Sequence, residues 1–351
     1  AAGDVAGAGT DTASFPIKAQ LTDDAGNTGL AVSVTNMLTV DNIPVEIVSA
    51  TEYDTNGDGY IDEILVEFSL PVDDSSIAGA DASQFTLGGA ACVDADTVTG
   101  GGTAAANSGD PGVANDKFIT LFTDGSSVAG TDLKEVIFTA APGKFADDAG
   151  NAAASLSPVP VVDAAAPVIL SIATMDDDTN GKVDIYKTVI SEPVWDASYD
   201  SLKPSDSIFT LTGGLAAPAL EADTADDHII YIAITEAGYN TGAVGDFTAG
   251  AGLLTDKATA PLPMAAVVSG TVVETDGAPP IIASAALGNG NGVVTVTFSE
   301  AATSTAVTRA DIKPAGTAAK FGTTDPAVVQ AMNSAAMSFT VNLSNTDAAQ
   351  F

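Results

Sequence analysis

Two short segments of the sequence combine residues that could bind a hard cation. Asp54–Asp62 and Asp176–Asp184 both follow the pattern D-x-[DN]-x-[DN]-G-x-[IV]-D. Carboxylate and amide oxygens at alternate positions can converge on Ca²⁺, and the glycine permits the sharp turn that this convergence requires. The pattern therefore predicts two calcium loops in which the seventh position offers its backbone carbonyl. The predicted ligands are Asp54, Asn56, Asp58, Tyr60 and Asp62 in the first loop, and Asp176, Asp178, Asn180, Lys182 and Asp184 in the second.

Both loops lack the bidentate glutamate that completes an EF-type calcium loop. The twelfth position holds Leu65 or Lys187, so the dissociation constant is expected to be on the order of 10⁻⁴–10⁻³ M. The alternative is an Asp/Asn/Gly-rich turn between two strands, which needs no metal. Recurrence at similar distances after Pro44 and Pro167 favours calcium, because clustered carboxylates repel one another without a cation. The corresponding segment 288–292 has no carboxylate, and no metal is expected there.

A second, weaker candidate site involves a D-x-A-G-N turn and the aspartates at the junctions between repeats. The turn occurs as Asp23–Asn27 and again as Asp147–Asn151. Its polar side chains could meet the next domain's loop and hold a cation between domains. The simpler interpretation, which we favour, is a tight turn followed by a linker aspartate. The residues of this candidate are Asp24, Asn27, Asp41, Asp148, Asn151 and Asp163.

The sequence offers little for catalysis. His228 is the single histidine and Cys92 the single cysteine, so no zinc site with the usual ligand spacing can be assembled. We find no nucleophile elbow, phosphate-binding loop or dinucleotide fingerprint in a strand–turn–helix context. The chain is therefore not expected to be an enzyme.

The composition indicates a folded, strongly acidic protein. Its 351 residues include 46 acidic and 11 basic side chains, giving a formal net charge of −35, yet 46% of residues are hydrophobic. A disordered acidic chain is normally poor in apolar residues. Without a basic patch to neutralise phosphates, a nucleic-acid partner is not expected. No apolar run approaches the ~18 residues of a membrane span, so direct membrane insertion is not expected either.

An internal repeat organises the chain that carries these motifs. Junction prolines at Pro44, Pro167 and Pro280 each precede an apolar strand, a polar loop and a second strand. The first two repeats also share a Phe-Thr-Leu segment that ends in paired glycines, at 85–89 and 209–214. Residues 1–43 carry only end-of-repeat motifs and residues 280–351 only start-of-repeat motifs. The sequence therefore predicts half-domains at 1–43 and 280–351 and whole domains at 44–166 and 167–279.

Hydrophobicity within the repeats has a period of two. Ile64, Val66, Phe68 and Leu70 share one face of a strand, with Glu67 and Ser69 on the other face. Val294, Val296 and Phe298 alternate in the same way with Thr295 and Thr297. This alternation is typical of strands with one face on a core. Many short strands separated by Gly, Pro, Asn and Asp favour an all-β fold of β-sandwiches.

At three motifs the sequence resembles the tandem immunoglobulin-like domains of bacterial and archaeal S-layer and other cell-surface proteins. These are the D-x-A-G-N turn, the V-D-x-x-P junction at Val40–Pro44, and the strand end Phe298-Ser-Glu300. The resemblance implies two complete immunoglobulin-like β-sandwiches, a third one split between the ends, and a location outside the cell. The repeat 167–279 departs from the pattern, because its turn reads Asp256-Lys-Ala-Thr259.

These observations predict a structural subunit of an extracellular filament or surface assembly. Residues 1–43 of one copy would complete the sandwich begun by residues 280–351 of the next, which is strand complementation in a homopolymer. The alternatives are an excerpt of a long S-layer or adhesin-stalk protein and, ranked last, a carbohydrate-binding accessory module. Copies with a formal net charge of −35 repel one another, so assembly is expected to need salt or divalent cations. The predicted self-assembly residues are Phe15, Ile17, Val32, Val34, Val294, Val296, Phe298, Phe339, Val341 and Leu343.

Overall fold

The computed structural model of the chain is built almost entirely from β-strands, which confirms the predicted all-β fold. It describes residues 13–19, 22–29, 32–96, 114–236, 238, 240–287, 293–301 and 338–342. The chain divides into two compact units, Ala1–Ala165 and Ala166–Phe351, and the division falls at the junction before Pro167. Among the described residues, no helix is long and apolar enough to cross a membrane.

The first unit contains a separate hairpin and one complete sandwich. The strands are β1 (Ala13–Ala19), β2 (Val32–Val40), β3 (Ile47–Tyr53), β4 (Glu63–Phe68), β5 (Phe85–Leu87), β6 (Ala90–Ala91), β7 (Asp94–Asp96), β8 (Phe118–Phe122), β9 (Val136–Phe138), β10 (Leu156–Val159) and β11 (Val161–Asp163). Short 3₁₀ segments cover Asp74–Ser76 and Gly79–Gln84. Strands β1 and β2 pair only with each other among the described strands.

Two sheets enclose the core of this sandwich. One has the order β11-β3-β4-β8-β7 and the other β10-β9-β5-β6. Phe68 comes from the first sheet, whereas Phe85 and Phe138 come from the second. Phe145, in the loop after β9, lies 5.3 and 5.6 Å from the rings of Phe85 and Phe138 and 6.1 Å from that of Phe68. All are buried, so aromatic contacts connect the two layers.

The second unit contains the second sandwich and a further sheet. The strands are β12 (Ile169–Met175), β13 (Ile185–Ile190), β14 (Pro204–Asp206), β15 (Thr210–Leu215), β16 (Ile229–Thr235), β17 (Phe247–Ala249), β18 (Glu274–Thr275), β19 (Ile282–Leu287), β20 (Val293–Phe298) and β21 (Ser338–Asn342). A 3₁₀ turn covers Asp196–Ser198. The sheet orders are β15-β16-β13-β12-β18, β14-β17 and β19-β20-β21.

The core of the second sandwich lies between its five-stranded sheet and the β14–β17 pair. Tyr186 from β13 meets Phe247 from β17 and Phe209 from the loop before β15, with ring centroids 6.1 and 5.7 Å apart. Leu253 and Leu254 are completely buried in the same cluster. Both repeats thus enclose an apolar core between two sheets, as the alternating sequence pattern predicts.

The shared Phe-Thr-Leu segment does not form the same strand in the two sandwiches. Phe85–Leu87 pairs with β9 in the smaller sheet of the first sandwich. In the second, Thr210–Leu215 pairs with β16 in the larger sheet, and β14 takes the place beside Phe247. The two Phe-Thr-Leu segments therefore belong to sheets that are not equivalent. The sequence alignment of the two repeats is wrong at this segment.

Candidate calcium loops and junction turns

The first candidate loop connects β3 to β4 and is organised by its own side chains. Asp54 accepts hydrogen bonds from the backbone N–H groups of Gly57 and Gly59, at 2.7 and 2.8 Å. Gly57 and Gly59 have φ of 74° and 85°, a left-handed conformation in which glycine carries no steric penalty. Asp62 accepts from the backbone and hydroxyl of Thr55, each at 3.0 Å. Carboxylates of the two ends of the loop therefore point inward.

This inward arrangement concentrates negative charge. Burial raises the pKa of Asp54, and the charges of Asp62 and Asp58 raise it further, against the effect of the hydrogen bonds from Gly59 and Gly57. The hydrogen bonds from the backbone N–H groups to Asp54 are those of an ordinary aspartate-stabilised turn. The geometry of the first loop is thus compatible with the turn interpretation as well as with a cation.

The second candidate loop connects β12 to β13 and brings three carboxylates closer together. Oxygens of Asp176, Asp178 and Asp184 all lie within 4.8 Å of one another, whereas the aspartates of the first loop form no such group among the described residues. Asp176 is buried and accepts from the backbone N–H groups of Asn180 and Gly181, at 2.9 and 2.7 Å. Clustered carboxylate oxygens of this kind suit Ca²⁺.

The charge around Asp184 is also incompletely compensated. Burial raises its pKa, and the neighbouring charges of Asp178 and Asp177 raise it further. The Asp177 side chain points elsewhere and accepts from the backbone N–H groups of Ala219 and Leu220, at 2.7 and 2.9 Å. Asp177 therefore anchors a neighbouring loop, and Asp176, Asp178 and Asp184 remain the candidate ligand set.

Glu236 is a candidate residue that the sequence pattern missed. It follows β16 and accepts from the Asn180 side-chain amide at 3.1 Å and the Lys182 ammonium at 2.9 Å. Those hydrogen bonds lower the pKa of Glu236. Because Glu236 lies far along the chain from the motif, only the tertiary structure reveals it. The ammonium of Lys182 also puts a positive charge beside a loop where only its backbone carbonyl was expected to matter.

The two loops differ at the position of Glu236. The carbonyl of Asp184 accepts from Ile234 N–H at 2.7 Å, and that of Asp62 accepts from Thr123 N–H at 2.8 Å. Two residues further on stand Glu236 and Gly125, so the first loop has no carboxylate at that point. The second loop is accordingly the stronger cation candidate. The segment 288–292 of the third repeat lies outside the described residues.

The D-x-A-G-N turns at 23–27 and 147–151 have the same geometry. Asp147 accepts from Ala149 N–H at 2.9 Å, from Asn151 N–H at 2.8 Å and from the Asn151 side chain at 2.9 Å. Asp23 makes the corresponding bonds with Ala25 and Asn27, at 3.0, 2.8 and 3.0 Å. The hydrogen bonds of Asn27 lower the pKa of Asp23. The first aspartate of each motif forms the turn, which therefore needs no metal.

The remaining residues of this weaker candidate are spread around the turns. Asp24 and Asp148 are exposed. Asp41 accepts from Ile43 N–H at 3.1 Å, and its carbonyl accepts from the Asn151 side chain at 3.4 Å. Asp163 accepts from Ala165 N–H at 3.1 Å. Asp41 thus does meet the turn of the sandwich that follows it, beside an open depression of about 380 Å³ that Asp147 and Asp148 also line.

Nine of the ten predicted self-assembly residues lie on described strands, and Leu343 is the exception. Val34 lies opposite Ile17 in the β1–β2 hairpin. Val296 is buried, and Phe298 and Val294 are half-buried. Opposite β20, Phe339 faces Val296 and Val341 faces Val294. The side chains of Phe15, Ile17, Val32, Val34, Phe339 and Val341, and Leu343 as a whole, lie outside the described residues.

The single cysteine is sequestered in the first sandwich. Cys92 is 1% exposed, and burial raises the pKa of its thiol to about 12. The thiol is therefore protonated near neutral pH and is a poor nucleophile. No protein-family model matches the chain, and no curated protein matches its sequence. What the chain does must therefore be argued from the fold and the sites themselves.

Proposed function

We propose that the chain is a structural subunit of an extracellular filament or cell-surface assembly, built from immunoglobulin-like sandwiches and joined head-to-tail by strand complementation. One observation carries the proposal. The hairpin β1–β2 bears the end-of-repeat turn, and the sheet β19–β20–β21 bears the start-of-repeat strand end. In each complete sandwich, elements of these two kinds belong to one domain. The hairpin of one copy and the sheet of another are therefore complementary halves.

The same proposal gives the acidic loops a role. A cation held by Asp176, Asp178 and Asp184 would neutralise like charges and fix the β12–β13 connection. A formal charge of −35 makes copies repel one another, and salt or divalent cations screen that repulsion. Assembly is then expected to be weakest in low salt with a chelator. The extracellular location follows from the resemblance to S-layer domains and is part of the proposal.

The test combines sedimentation with electron microscopy of the purified chain. The wild type is expected to form filaments or sheets in salt and Ca²⁺, and to disassemble when EDTA is added at low salt. Ile17→Asp places a charge in the hairpin and is expected to leave soluble, folded monomers, because burying an unpaired charge is costly. Leu202→Asp changes a side chain that is 91% exposed in the second sandwich and serves as the control that should assemble normally.

Two results would contradict the proposal. The first is a wild-type chain that stays monomeric at every salt, calcium and protein concentration tried. The second is an Ile17→Asp variant that assembles like the wild type. Intact mass of the native polypeptide separates the related alternative, since a mass far above 34.7 kDa identifies the chain as part of a long surface array.

A further inference from the structure

Each complete sandwich is closed by a short parallel strand at the edge of its larger sheet. In the first sandwich β11 pairs with β3, with Val162 opposite Thr51. In the second, β18 pairs with β12, with Thr275 opposite Ala173. The first edge strand ends at the junction aspartate Asp163, and the second ends one residue before the junction aspartate Asp276. The end of one repeat therefore caps the first strand of the same sandwich, in the same direction and at the same place.

A serine at the strand end aligns the first strands of all three repeats. The Ser69 hydroxyl accepts from Glu46 N–H at 3.0 Å, and the Ser191 hydroxyl accepts from Val168 N–H at 2.9 Å. The Ser299 hydroxyl accepts from Ile281 N–H at 2.9 Å. Each first strand has an isoleucine paired with the residue just before this serine. These equivalent residues are Ile47, Ile169 and Ile282. Four residues further along each strand, Thr51 and Ala173 correspond to Ala286 of β19.

The edge of β19 lacks such a cap. Among the described strands, β19 pairs only with β20, and it stands at the edge of its sheet. Ile282 is 62% exposed, whereas Ile169 at the equivalent position is 4% exposed. Ala285 is exposed, whereas its equivalents Ala50 and Ile172 are fully buried. An open, apolar strand edge of this kind readily pairs with another strand.

A matching donor lies elsewhere in the chain. Val40 of β2 precedes Asp41 and Pro44 as Val162 precedes Asp163 and Pro167. One edge of β2 is paired with β1, and no described strand occupies the other edge. In sequence, the end of β2 is therefore the third occurrence of the segment that forms the capping strand.

The turn at 22–28 is exposed, whereas the equivalent turn of the first sandwich packs against the body of that sandwich. In the first sandwich Ala146 and Asp147 are 3% and 9% exposed, and the Ala146 carbonyl accepts from Asp73 N–H at 2.8 Å. In the second, the Thr255 carbonyl accepts from Trp195 N–H at 3.0 Å. The two donor residues, Asp73 and Trp195, each follow the strand-end serine of their sandwich by four positions. Residues 22–29, in contrast, are all exposed.

We infer that β2 of one copy adds to β19 of a second copy as a parallel edge strand, with Val40 opposite Ala286 and Thr39 opposite Ala285. The turn at 22–28, which is exposed in its own chain, is then expected to pack against the second copy. The inference rests on the proposed head-to-tail assembly and specifies its register. The occupant is a second copy because this chain itself carries the matching capping strand and turn.

Disulfide trapping between two variants that each carry one introduced cysteine tests the register. Val40→Cys and Ala286→Cys chains are purified separately, mixed, assembled and oxidised, so that any mixed disulfide joins two different copies. Directly opposite positions on paired strands lie about 5 Å apart, within disulfide reach. The buried Cys92 remains in both variants, and each variant oxidised alone measures its background. A mixed dimer is expected as the main product of the assembled fraction.

Ser284→Cys is the matched register control. Ser284 is exposed on the same strand, two residues from Ala286, so its Cα would lie roughly 8 Å from that of Val40, beyond the limit of about 7 Å. About tenfold less dimer is expected with this partner. Equal or greater trapping at Ser284 overturns the register. Normal assembly without trapping at either position overturns the β2–β19 contact but leaves the proposed function standing, and failure of the wild type to assemble overturns both.

Discussion

Glu52 is a buried carboxylic acid whose ionisation should control the pH dependence of the first sandwich. Its side chain is fully buried on β3, and its two oxygens accept from Lys134 N–H at 2.9 and 3.2 Å. Burial raises the pKa of Glu52 to about 8, despite the opposing effect of that hydrogen bond, and the charge of Asp163 contributes in the same direction. We therefore expect Glu52 to be protonated in the folded chain at neutral pH.

The sign of the effect follows from proton binding. Above the ordinary pKa of 4.5 the unfolded chain releases the Glu52 proton, whereas the folded chain keeps it up to about pH 8. The folded state binds more protons in this range, so the free energy of unfolding falls as the pH rises. One pKa unit corresponds to about 1.4 kcal/mol. The full loss across this window is therefore at most about 5 kcal/mol.

Glu52→Gln keeps the shape of the side chain and an acceptor for Lys134 but cannot ionise. Urea unfolding across the window between the two pKa values should show the variant gaining on the wild type by about 1.4 kcal/mol per pH unit at most. Glu46→Gln, at an exposed position, is the control and should follow the wild type. Parallel pH profiles for the wild type and Glu52→Gln would refute the conclusion that burial keeps Glu52 protonated.

Two further predictions concern the second unit. Asp176→Asn should weaken Ca²⁺ binding, measured by calorimetry, more than Asp54→Asn does, because of the two candidate loops the second gathers three carboxylates within 4.8 Å of one another and the first does not; equal effects would contradict the ranking of the loops. Gly277→Ala should cost about 1–3 kcal/mol in urea unfolding, since a Cβ there would lie 2.7 Å from the Thr174 carbonyl. Gly214→Ala, with open space around its Cβ, should be nearly neutral, and equal losses would exclude the close contact.

The strands and the two acidic loops were predictable because both depend on local sequence. Alternation at Ile64, Val66 and Phe68 predicts a strand with one face on a core, and all three are fully buried. The other face of β4 is largely covered as well, since Glu63 and Leu65 are 4% and 6% exposed. The pattern D-x-[DN]-x-[DN]-G places a turn directly after the first strand of a repeat, where both loops occur. The Phe-Thr-Leu segments show what local sequence cannot predict, which is the pairing partner of a strand. Whether such a segment pairs with β9 or with β16 depends on strands that lie far along the chain.

Residues that are distant in sequence but close in the fold explain why Glu236 and the burial of Glu52 could not be predicted. Glu236 reaches the second loop only because β16 pairs with β13 and ends beside it. In the sequence, Glu52 is an ordinary polar residue near the end of β3. In the fold, the backbone N–H of Lys134 donates to both of its carboxylate oxygens. No local pattern distinguishes such a residue from a solvated one. Its environment is created by segments that meet only in the folded sandwich.

In the proposed assembly, the strand-end serine would allow a repeat to begin in one copy and end in another. Ser299 donates its backbone N–H to the Ile281 carbonyl at 2.9 Å and accepts at its hydroxyl from Ile281 N–H at the same distance. These two bonds set the register of β19 on β20 without any contribution from the end of a repeat. The first half of the sandwich is therefore aligned by local contacts alone, and its open edge can receive β2 as a preformed template. A capping strand supplied by another copy then adds main-chain pairing to a sheet that is already in register.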